Sequence, residues 1–430
     1  MSDRYKASEE MLERALKTIP LGSQTFSKSK TQYPFGVSPY FAKKAKGSRL
    51  WDVDGNEYID FINGLLSITL GYCDEDVNSA IKNQLDSGSI FSIASELEIE
   101  VAEKICEMVP CAEMVRFGKN GSDATAGAIR VARAVTNRDH ILVCGYHGWQ
   151  DWYIGSTSRN LGVPESTQNL THIFQYNNLE SLEELFAKLE GKVAGVIMEP
   201  SNVYPPNDGY LQAVKDLAHK NGAILIFDET ITGFRFSKGG AQELYGVTPD
   251  LATFGKGLAN GFPLSAVAGK AEYMKVMEEI FFSFTFGGDT ISLSAAKATL
   301  NKLNSEPVLE KINETGTYLI NELQDLINAN NVSEYFDVAG HPSWSFFIIK
   351  ENPAYSPWDV KTLFMQEMMA NGILSFGSHN ISYAHSKADV DHLLKKYAAF
   401  FKIFNECISN GSDIKEKLNC DPLIPLFKVR

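Results

Sequence analysis

Short apolar runs alternate with longer stretches of helical periodicity between about residues 110 and 270. Apolar runs of this length are typical of strands buried on both faces, and the intervening patterns are long enough for crossover helices. The alternation therefore predicts an α/β fold with a mostly parallel sheet and helices on both faces. The predicted strands are 114–117, 141–144, 193–198, 223–227, 251–254 and 264–268.

Residues with chemically useful side chains follow the first five runs. In chain order they are Asn120-Gly121-Ser122, Tyr146-His147, Glu199-Pro200, Asp228-Glu229 and Lys256. In open α/β sheets, ligands bind beyond the carboxyl ends of the strands. Five successive strand ends of this kind predict one functional site at that edge of the sheet.

Lys256 and Asp228 form the pair most specific for one chemistry. Lys256 follows an apolar run and has a glycine on each side, which allows close approach of a ligand, while Asp228 ends another apolar run. A lysine amine can form a Schiff base with an aldehyde, and a buried carboxylate can keep a pyridine nitrogen protonated. Together they predict pyridoxal 5′-phosphate as the cofactor. Taken singly, Lys256 could be a solvated surface lysine and Asp228 a helix N-cap.

The residues after the first two strands suit the remaining parts of such a cofactor. Gly121 and Ser122 precede a helical pattern, so their amides would point out of a helix N-terminus toward a phosphate, although a simple N-cap is the alternative. Tyr146 would stack on a flat ring, or be a core or rim residue. His147 is either a supporting group or a loop histidine with ordinary hydrogen bonds, and we favour the second.

Composition limits the other classes of function. The chain has 40 Lys and Arg against 53 Asp and Glu, a formal net charge of −13, which argues against a wide surface for nucleic acid or for an anionic membrane. We find no signal-like segment and no apolar stretch of about 18 residues, so we expect a cytoplasmic protein. The six cysteines lack zinc spacing, and we expect no metal.

Two other regions frame the predicted sheet. Asp54-Gly55, or Gly55-Asn56, is a turn signal between two short strands and predicts a hairpin. From about residue 300 onward, helical patterns surround a strand at 343–349, which predicts a smaller α+β domain built from both chain ends. We predict an N-terminal segment at 1–65, a large domain at 66–300 and a C-terminal domain with a short tail at 301–430.

Taken together, these motifs resemble the class III (fold type I) aminotransferases, and among them the group around glutamate-1-semialdehyde 2,1-aminomutase. The resemblance runs from Leu21-Gly22-Ser23 to Tyr383-Ala384-His385, nearly the whole chain. It implies the fold of the type I PLP-dependent transferases. It also implies phosphate binding at Gly121 and Ser122, ring stacking at Tyr146, a ring-nitrogen contact at Asp228 and the Schiff-base lysine at Lys256.

Three more roles rest on the resemblance alone. It places Glu199 near the cofactor and Thr230 against the other face of the ring, where the family often has an aliphatic residue. Thr285 would reach the phosphate of the other subunit, which implies a homodimer with shared active sites.

The departures from the aminomutases fall on the substrate side. The segment Ser23–Lys30 has no arginine for a substrate carboxylate; Lys28 could replace it as a point charge without the bidentate fork. Gly64-Leu65-Leu66 stands where the aminomutases have a tryptophan, and Ser378-His379-Asn380 where they have a glutamate. We therefore expect Lys28, His379 and Asn380 to be candidates for substrate contact.

These observations leave three hypotheses. The first is a ping-pong aminotransferase that moves an amino group from a donor such as L-glutamate to a keto or aldehyde acceptor such as a sugar derivative. The second is glutamate-1-semialdehyde 2,1-aminomutase itself, with both positions in one molecule. The third is a non-catalytic regulator that binds the cofactor, which we disfavour because no DNA-binding module or basic patch is visible in the sequence.

Overall fold

The computed structural model describes residues 3–424, which divide into two compact units. We call residues 66–69 and 75–309 the central unit, and residues 3–65, 70–74 and 310–424 the terminal unit. No helix among the described residues is long and apolar enough to cross a membrane.

The strands are numbered in chain order. They are β1 Ala42–Lys46, β2 Arg49–Asp52, β3 Glu57–Asp60, β4 Met114–Gly118, β5 His140–Cys144, β6 Thr171–Ile173, β7 Val193–Met198, β8 Ile224–Asp228, β9 Leu251–Phe254, β10 Ser265–Gly269, β11 Phe336–His341, β12 Trp344–Ile349, β13 Ile373–Leu374 and β14 Ser378–Asn380.

The helices are numbered in the same way. They are α1 Lys6–Ala15, α2 Asn63–Leu66, α3 Glu75–Leu85, α4 Glu96–Met108, α5 Gly121–Thr136, α6 Asp151–Ile154, α7 Glu165–Gln168, α8 Leu179–Lys188, α9 Tyr210–Lys220, α10 Ala241–Leu244, α11 Ala271–Met274, α12 Thr290–Ser305, α13 Val308–Ala329, α14 Pro357–Ala370 and α15 Lys387–Asn410.

A seven-stranded sheet in the order β4-β10-β9-β8-β7-β5-β6 forms the centre of the central unit. The neighbours from β9 to β6 are all parallel. Alternate side chains of β8 enter different cores: Ile224 and Ile226 pack with α5, whereas Leu225 and Phe227 pack with α8 and α9. Both faces of the sheet are therefore covered by helices, and the predicted fold class is confirmed.

Strand β10 departs from the parallel pattern. It pairs antiparallel with both β9 and β4. Residues 255–264, which join β9 to β10, contain only the 3₁₀ turn Lys256–Ala259. A parallel crossover needs a dozen or more residues, usually with a helix, so this short connection can only return the chain antiparallel. Strand β4 then runs in the same direction as β9, with its carboxyl end at the same edge of the sheet.

The terminal unit has two small sheets. In the first, the β2–β3 hairpin is present as predicted, with Gly55 at a φ of 88° in the turn. In the second, β12 lies between β11 and β14. Aromatic contacts join this sheet to α15, such as those of Phe336 with Phe404 and of Phe347 with Tyr397, with centroid distances of 4.7 and 5.0 Å.

The short element α2 winds in the left-handed sense. Asn63, Gly64, Leu65 and Leu66 have φ values of 52°, 59°, 59° and 70°. Each non-glycine residue in this conformation costs about 1–2 kcal/mol. Asp60 stabilises the entry to the turn, because its Oδ1 accepts hydrogen bonds from the amides of Ile62 and Asn63 at 2.8 and 2.9 Å.

The hairpin turn also holds the first helix through Asp54. Its two carboxylate oxygens accept hydrogen bonds from the amides of Ala7 and Ser8 at 2.6 and 2.9 Å, at the start of α1. Because these amides have no partner within the helix, we expect Asp54→Ala to lower the free energy of unfolding by about 1 kcal/mol. Urea unfolding would measure this loss. The matched Asp54→Asn variant keeps one accepting oxygen and should lose less; equal losses would contradict the capping role.

Candidate active site

The ends of five strands meet at one edge of the central sheet. Strands β5, β7, β8 and β9 are parallel and neighbouring, and β4 runs in the same direction as β9. The residues that follow them are those singled out in the sequence: Gly121 and Ser122 after β4, Tyr146 after β5, Glu199 after β7, Asp228 and Thr230 at the end of β8, and Lys256 after β9.

Asp228 is the buried acid at this edge, with 4% of its surface exposed. Its Oδ1 accepts hydrogen bonds from the Thr230 amide at 3.1 Å, the Thr230 hydroxyl at 2.5 Å and the Thr253 hydroxyl at 3.0 Å. Its Oδ2 lies 2.8 Å from Nδ1 of His147. Burial alone would raise the pKa of this carboxyl, but the contacts with His147 and Thr230 outweigh burial and hold the pKa below its usual value. Asp228 is thus a buried carboxylate kept ionised.

His147 is the site residue that sequence reasoning undervalued. Its ring is buried, with Nδ1 facing Asp228 at the end of β8 and Nε2 lying 3.2 Å from the carbonyl oxygen of Cys144 at the end of β5. The ring stacks on Trp152 at a centroid distance of 6.3 Å. Its sequence signal was its position one residue after Tyr146 at a strand end, but that position does not show that it contacts Asp228.

The start of α5 shows which residue caps this helix. Asn120, not Ser122, is the N-cap: its side chain accepts from the Asp123 amide, and Asp123 accepts in return from the Asn120 amide. The amides of Gly121 and Ser122, in the first turn, have no partner within the helix by geometry. They and the positive end of the helix dipole can accommodate a phosphate.

The turn after β5 packs tightly against this helix start. The Ser122 hydroxyl accepts a hydrogen bond from the Trp149 amide at 3.2 Å, and Gly148 lies against the same hydroxyl with a φ of 103°. A Cβ on Gly148 would overlap Ser122 Oγ and Cβ. The turn after β5 and the start of α5 therefore pack together at the contact of Gly148 with Ser122, which we call the cradle. This contact requires a glycine at position 148.

We expect Gly148→Ala to disrupt this cradle. The new methyl group would displace Ser122 and strain the backbone, with a loss of about 3 kcal/mol in the free energy of unfolding and weaker binding of phosphate compounds. Gly162→Ala is the matched control, since Gly162 has a φ of 88° but no atom within 4 Å of the place that a Cβ would take. The free energy of unfolding of Gly162→Ala should fall by only about 1 kcal/mol, because this variant adds backbone strain but no collision. Equal losses in the two variants, measured by urea unfolding, would contradict the cradle.

Lys256 begins the 3₁₀ turn after β9 in a strained conformation. Its φ of 43° lies in the left-handed region, which costs a lysine about 1–2 kcal/mol, and its side chain is half-buried. A Cβ on the neighbouring Gly255 would lie 3.4 Å from Thr230 Cγ2 and 3.9 Å from the Cα of Gly121. The backbone beside Lys256 thus closely approaches both the helix start and the residue after Asp228.

Glu199 supports the backbone that carries Tyr146. Its Oε2 accepts a hydrogen bond from the Tyr146 amide at 3.1 Å, and a Cβ on Gly145 would collide with the same carboxylate. The Tyr146 ring is half-buried and meets Tyr153 edge-on at 5.7 Å. The remaining candidate of this unit, Thr285, is exposed on the loop before α12.

The three candidates for substrate contact lie in the terminal unit. Lys28 is exposed. His379 is fully buried, its Nδ1 and Nε2 bond to the hydroxyls of Ser345 and Tyr397, and burial lowers its pKa to about 3. Its position gives the expected substrate contact no support, because both ring nitrogens are used in the core. Asn380 is also buried, and its Nδ2 donates to the Ile62 carbonyl at 2.7 Å.

Among the residues that the structure describes, no group of three or more His, Cys, Asp or Glu side chains is arranged to hold a metal ion.

Comparison with known proteins identifies the family. The model of the class III aminotransferases matches residues 32–384. The chain belongs to the class III aminotransferases. A glutamate-1-semialdehyde 2,1-aminomutase of Methanosphaera stadtmanae is 36% identical, over 90% of this chain and 96% of that protein. A 3-aminobutyryl-CoA aminotransferase of Cloacimonas acidaminovorans is 34% identical, over 92% of this chain and 97% of that protein.

Solved structures agree with this membership. The FumI protein of Sphingopyxis sp. MTA144, described in its PLP internal aldimine form, has a TM-score of 0.87 and 26% identity, covering 96% of this chain and 100% of its own. An omega-transaminase from Sphaerobacter thermophilus has a TM-score of 0.84 and 26% identity, covering 93% and 99%. The predicted family, fold type, enzyme class and family cofactor are thereby confirmed.

Proposed function

We propose that this class III aminotransferase uses pyridoxal 5′-phosphate to move an amino group from a donor such as L-glutamate to a keto or aldehyde acceptor such as a sugar derivative, in a ping-pong reaction. The observation that carries the proposal is the buried, ionised Asp228 at the same sheet edge as Lys256 and the start of α5. The bound cofactor would supply an aldehyde carbon that takes up the amine and a ring that withdraws electrons.

The residues at this edge fit the cofactor in type and arrangement. The amides of Gly121 and Ser122 would hold the phosphate, and Asp228 would accept a hydrogen bond from the protonated ring nitrogen. The cradle of Gly148 and Ser122 supports this assignment, because it places the turn that carries Tyr146 directly against the start of α5.

Three further side chains complete the proposed contacts. Tyr146 would lie against one face of the ring, in a backbone position fixed by Glu199. Thr230 would pack against the opposite face, with its hydroxyl turned away to Oδ1 of Asp228. The methyl group of Thr230 would supply the apolar contact at this position, where the family often has an aliphatic residue.

Lys256 would have two tasks. Its Nζ would bind the aldehyde carbon of the cofactor covalently, which holds the cofactor in place. The same Nζ would also carry a proton to and from the substrate carbon, as a general base and acid. The strained backbone at Lys256 supports this assignment, since such strain concentrates at functional sites.

We propose a cytoplasmic homodimer in which Thr285 of each subunit completes the phosphate site of the other. Exposed apolar side chains near Thr285 support an interface, notably Phe281 and Phe286, and Ile93 lies on a second exposed loop of the same unit. Sedimentation velocity would test it: a dimer at micromolar concentration is expected, and a monomer would exclude a shared site.

The alternative is glutamate-1-semialdehyde 2,1-aminomutase, which the relatives of that name favour. The missing arginine among residues 23–30 and the glycine-leucine turn at Gly64-Leu65-Leu66 favour the transaminase instead. The two functions differ in their substrates. An enzyme that aminates an acceptor with L-glutamate, and leaves glutamate-1-semialdehyde unchanged, is the transaminase. Conversion of glutamate-1-semialdehyde alone, with no turnover of any separate donor and acceptor, would establish the aminomutase.

A further inference from the structure

Residues 281–289, which we call the Thr285 loop, are held at their first end by β4 and α5. Arg116 of β4 donates a hydrogen bond from Nη2 to the carbonyl oxygen of Phe282 at 3.3 Å. The ring of Phe282 packs on α5 at Gly127, where a Cβ would overlap the ring. The start of the loop is therefore attached to the strand and the helix on either side of the proposed phosphate site.

Lys119 holds the second end of the Thr285 loop. Its Nζ donates to Oδ2 of Asp289 at 3.0 Å and to the hydroxyl of Ser292 at 3.3 Å. The Ser292 hydroxyl in turn donates to Oδ2 of Asp289 at 2.7 Å. Burial alone would raise the pKa of Asp289, but the contacts with Ser292 and Lys119 outweigh burial and hold the pKa below its usual value. The three side chains thus form one charged network at the start of α12.

The backbone of Lys119 belongs to the start of α5. Its amide donates to Oδ2 of Asp123 at 3.0 Å, next to the reciprocal cap of Asn120 and Asp123. Lys119 lies two residues before Gly121, whose amide has no partner within the helix. A single residue therefore joins the proposed phosphate site, through its backbone, to the Thr285 loop, through its side chain.

The ion pair of Lys119 and Asp289 is suited to positioning rather than to attraction of a phosphate. Their side chains are 20% and 19% exposed, so neither is freely solvated. The negative charge of Asp289 lies 3.0 Å from the positive charge of Lys119 and balances it, which leaves little net charge to act on a phosphate from a distance. What the pair supplies is a fixed distance between the start of α5 and the loop.

We propose that Lys119 is a positioning residue, whose ion pair with Asp289 holds the Thr285 loop against the start of α5 so that Thr285 is placed to reach the phosphate site of the partner subunit. The inference rests on the proposed function, including its homodimer, and it adds a residue that acts through the loop. Without the ion pair, the exposed residues of the loop would be held at one end only. Binding the phosphate through Thr285 would then carry the entropic cost of ordering the loop.

Two single variants break this ion pair from opposite sides. Lys119→Met keeps the length of the side chain and removes its charge. Asp289→Asn removes the negative charge but keeps an oxygen that can cap α12, where Oδ1 of Asp289 accepts from the amide of Ile291 at 3.1 Å. The matched control is Lys297→Met, which breaks another ion pair of α12, with Glu100 at 2.6 Å, further along the helix.

The test is the affinity of the full-length apoprotein for pyridoxal 5′-phosphate and for pyridoxal, which lacks the phosphate. We expect Lys119→Met and Asp289→Asn each to weaken binding of pyridoxal 5′-phosphate about tenfold, and to change the affinity for pyridoxal by less than about twofold. The double variant should bind no more weakly than either single variant, since both substitutions remove the same ion pair. Lys297→Met should leave both affinities unchanged.

Thr285→Val tests whether the effect passes through the loop. In the natural protein it should weaken binding of pyridoxal 5′-phosphate about tenfold, but in Lys119→Met by less than about twofold, because the loop no longer holds Thr285 in place there. Equal losses in the two backgrounds would overturn the link between Lys119 and Thr285.

Three other results would overturn the inference. Tighter binding of pyridoxal 5′-phosphate by Asp289→Asn would mean that Lys119 acts as a positive charge. Unchanged affinity in Lys119→Met, or equal losses for both ligands, would mean that the ion pair only supports the fold. If the natural protein binds pyridoxal 5′-phosphate no more tightly than pyridoxal, the phosphate site of the proposed function fails together with the inference, and this failure is visible before any variant is made. Circular dichroism of each variant confirms that it is folded.

Discussion

Replacing Lys256 by alanine is expected to abolish transamination. The substitution removes both the amine that holds the cofactor aldehyde and the proton carrier, so we expect kcat/KM to fall at least about 1,000-fold, or about 4 kcal/mol in the activation free energy. Steady-state turnover with L-glutamate and a keto acid would measure this loss.

The control for this variant is Lys188→Ala. Lys188 is an exposed lysine near the end of α8, away from the active-site edge, and its removal should leave turnover unchanged within about twofold. A Lys256→Ala enzyme with turnover close to that of Lys188→Ala would contradict the assigned chemistry. Full biological activity of such a variant would instead support the non-catalytic regulator.

Replacing Asp228 by asparagine is expected to give the second-largest loss. The amide has nearly the same shape but no negative charge, so it would not keep the cofactor ring nitrogen protonated. We expect kcat to fall about 100-fold, or about 2.7 kcal/mol, with a smaller effect on KM. Thr253→Val is a matched comparison, because it removes one hydrogen bond from a neutral donor to the same carboxylate, keeps the negative charge, and should cost far less. Equal losses of kcat in Asp228→Asn and Thr253→Val would show that the negative charge of Asp228 does not determine kcat.

The depressed pKa of Asp228 also predicts how stability depends on pH. A carboxyl with a lower pKa in the folded than in the unfolded state stabilises the fold above its unfolded pKa. That stabilisation is lost as the pH falls through the folded pKa. Urea unfolding of the apoprotein on the acid side should therefore show a weaker pH dependence for Asp228→Asn than for the natural protein, and an unchanged dependence would contradict the ionised carboxylate.

The sequence predicted the central sheet well because each buried strand is marked by its own run of apolar residues, which is a local feature of the sequence. The buried strands β7 and β8 are continuous apolar runs, and each ends at a residue of different character, Glu199 and Asp228. Residues at the carboxyl ends of parallel strands necessarily approach each other. The strand ends could therefore be assigned to one site before any distance was known.

Features that depend on distant residues were not predictable. The contact of His147 with Asp228 joins positions 81 residues apart, and no local pattern indicates it. The partners of His379 are another case, since Ser345 and Tyr397 are brought to its ring nitrogens by tertiary packing that no local motif shows. Burial of a polar group is invisible to local periodicity.

The measurement that tests the central claim most directly is the absorption spectrum of the purified protein, titrated with L-glutamate. We predict a band near the visible edge that disappears as the pyridoxamine band grows, and that is altered in Lys256→Ala. Failure to acquire any chromophore after addition of pyridoxal 5′-phosphate would contradict the claim.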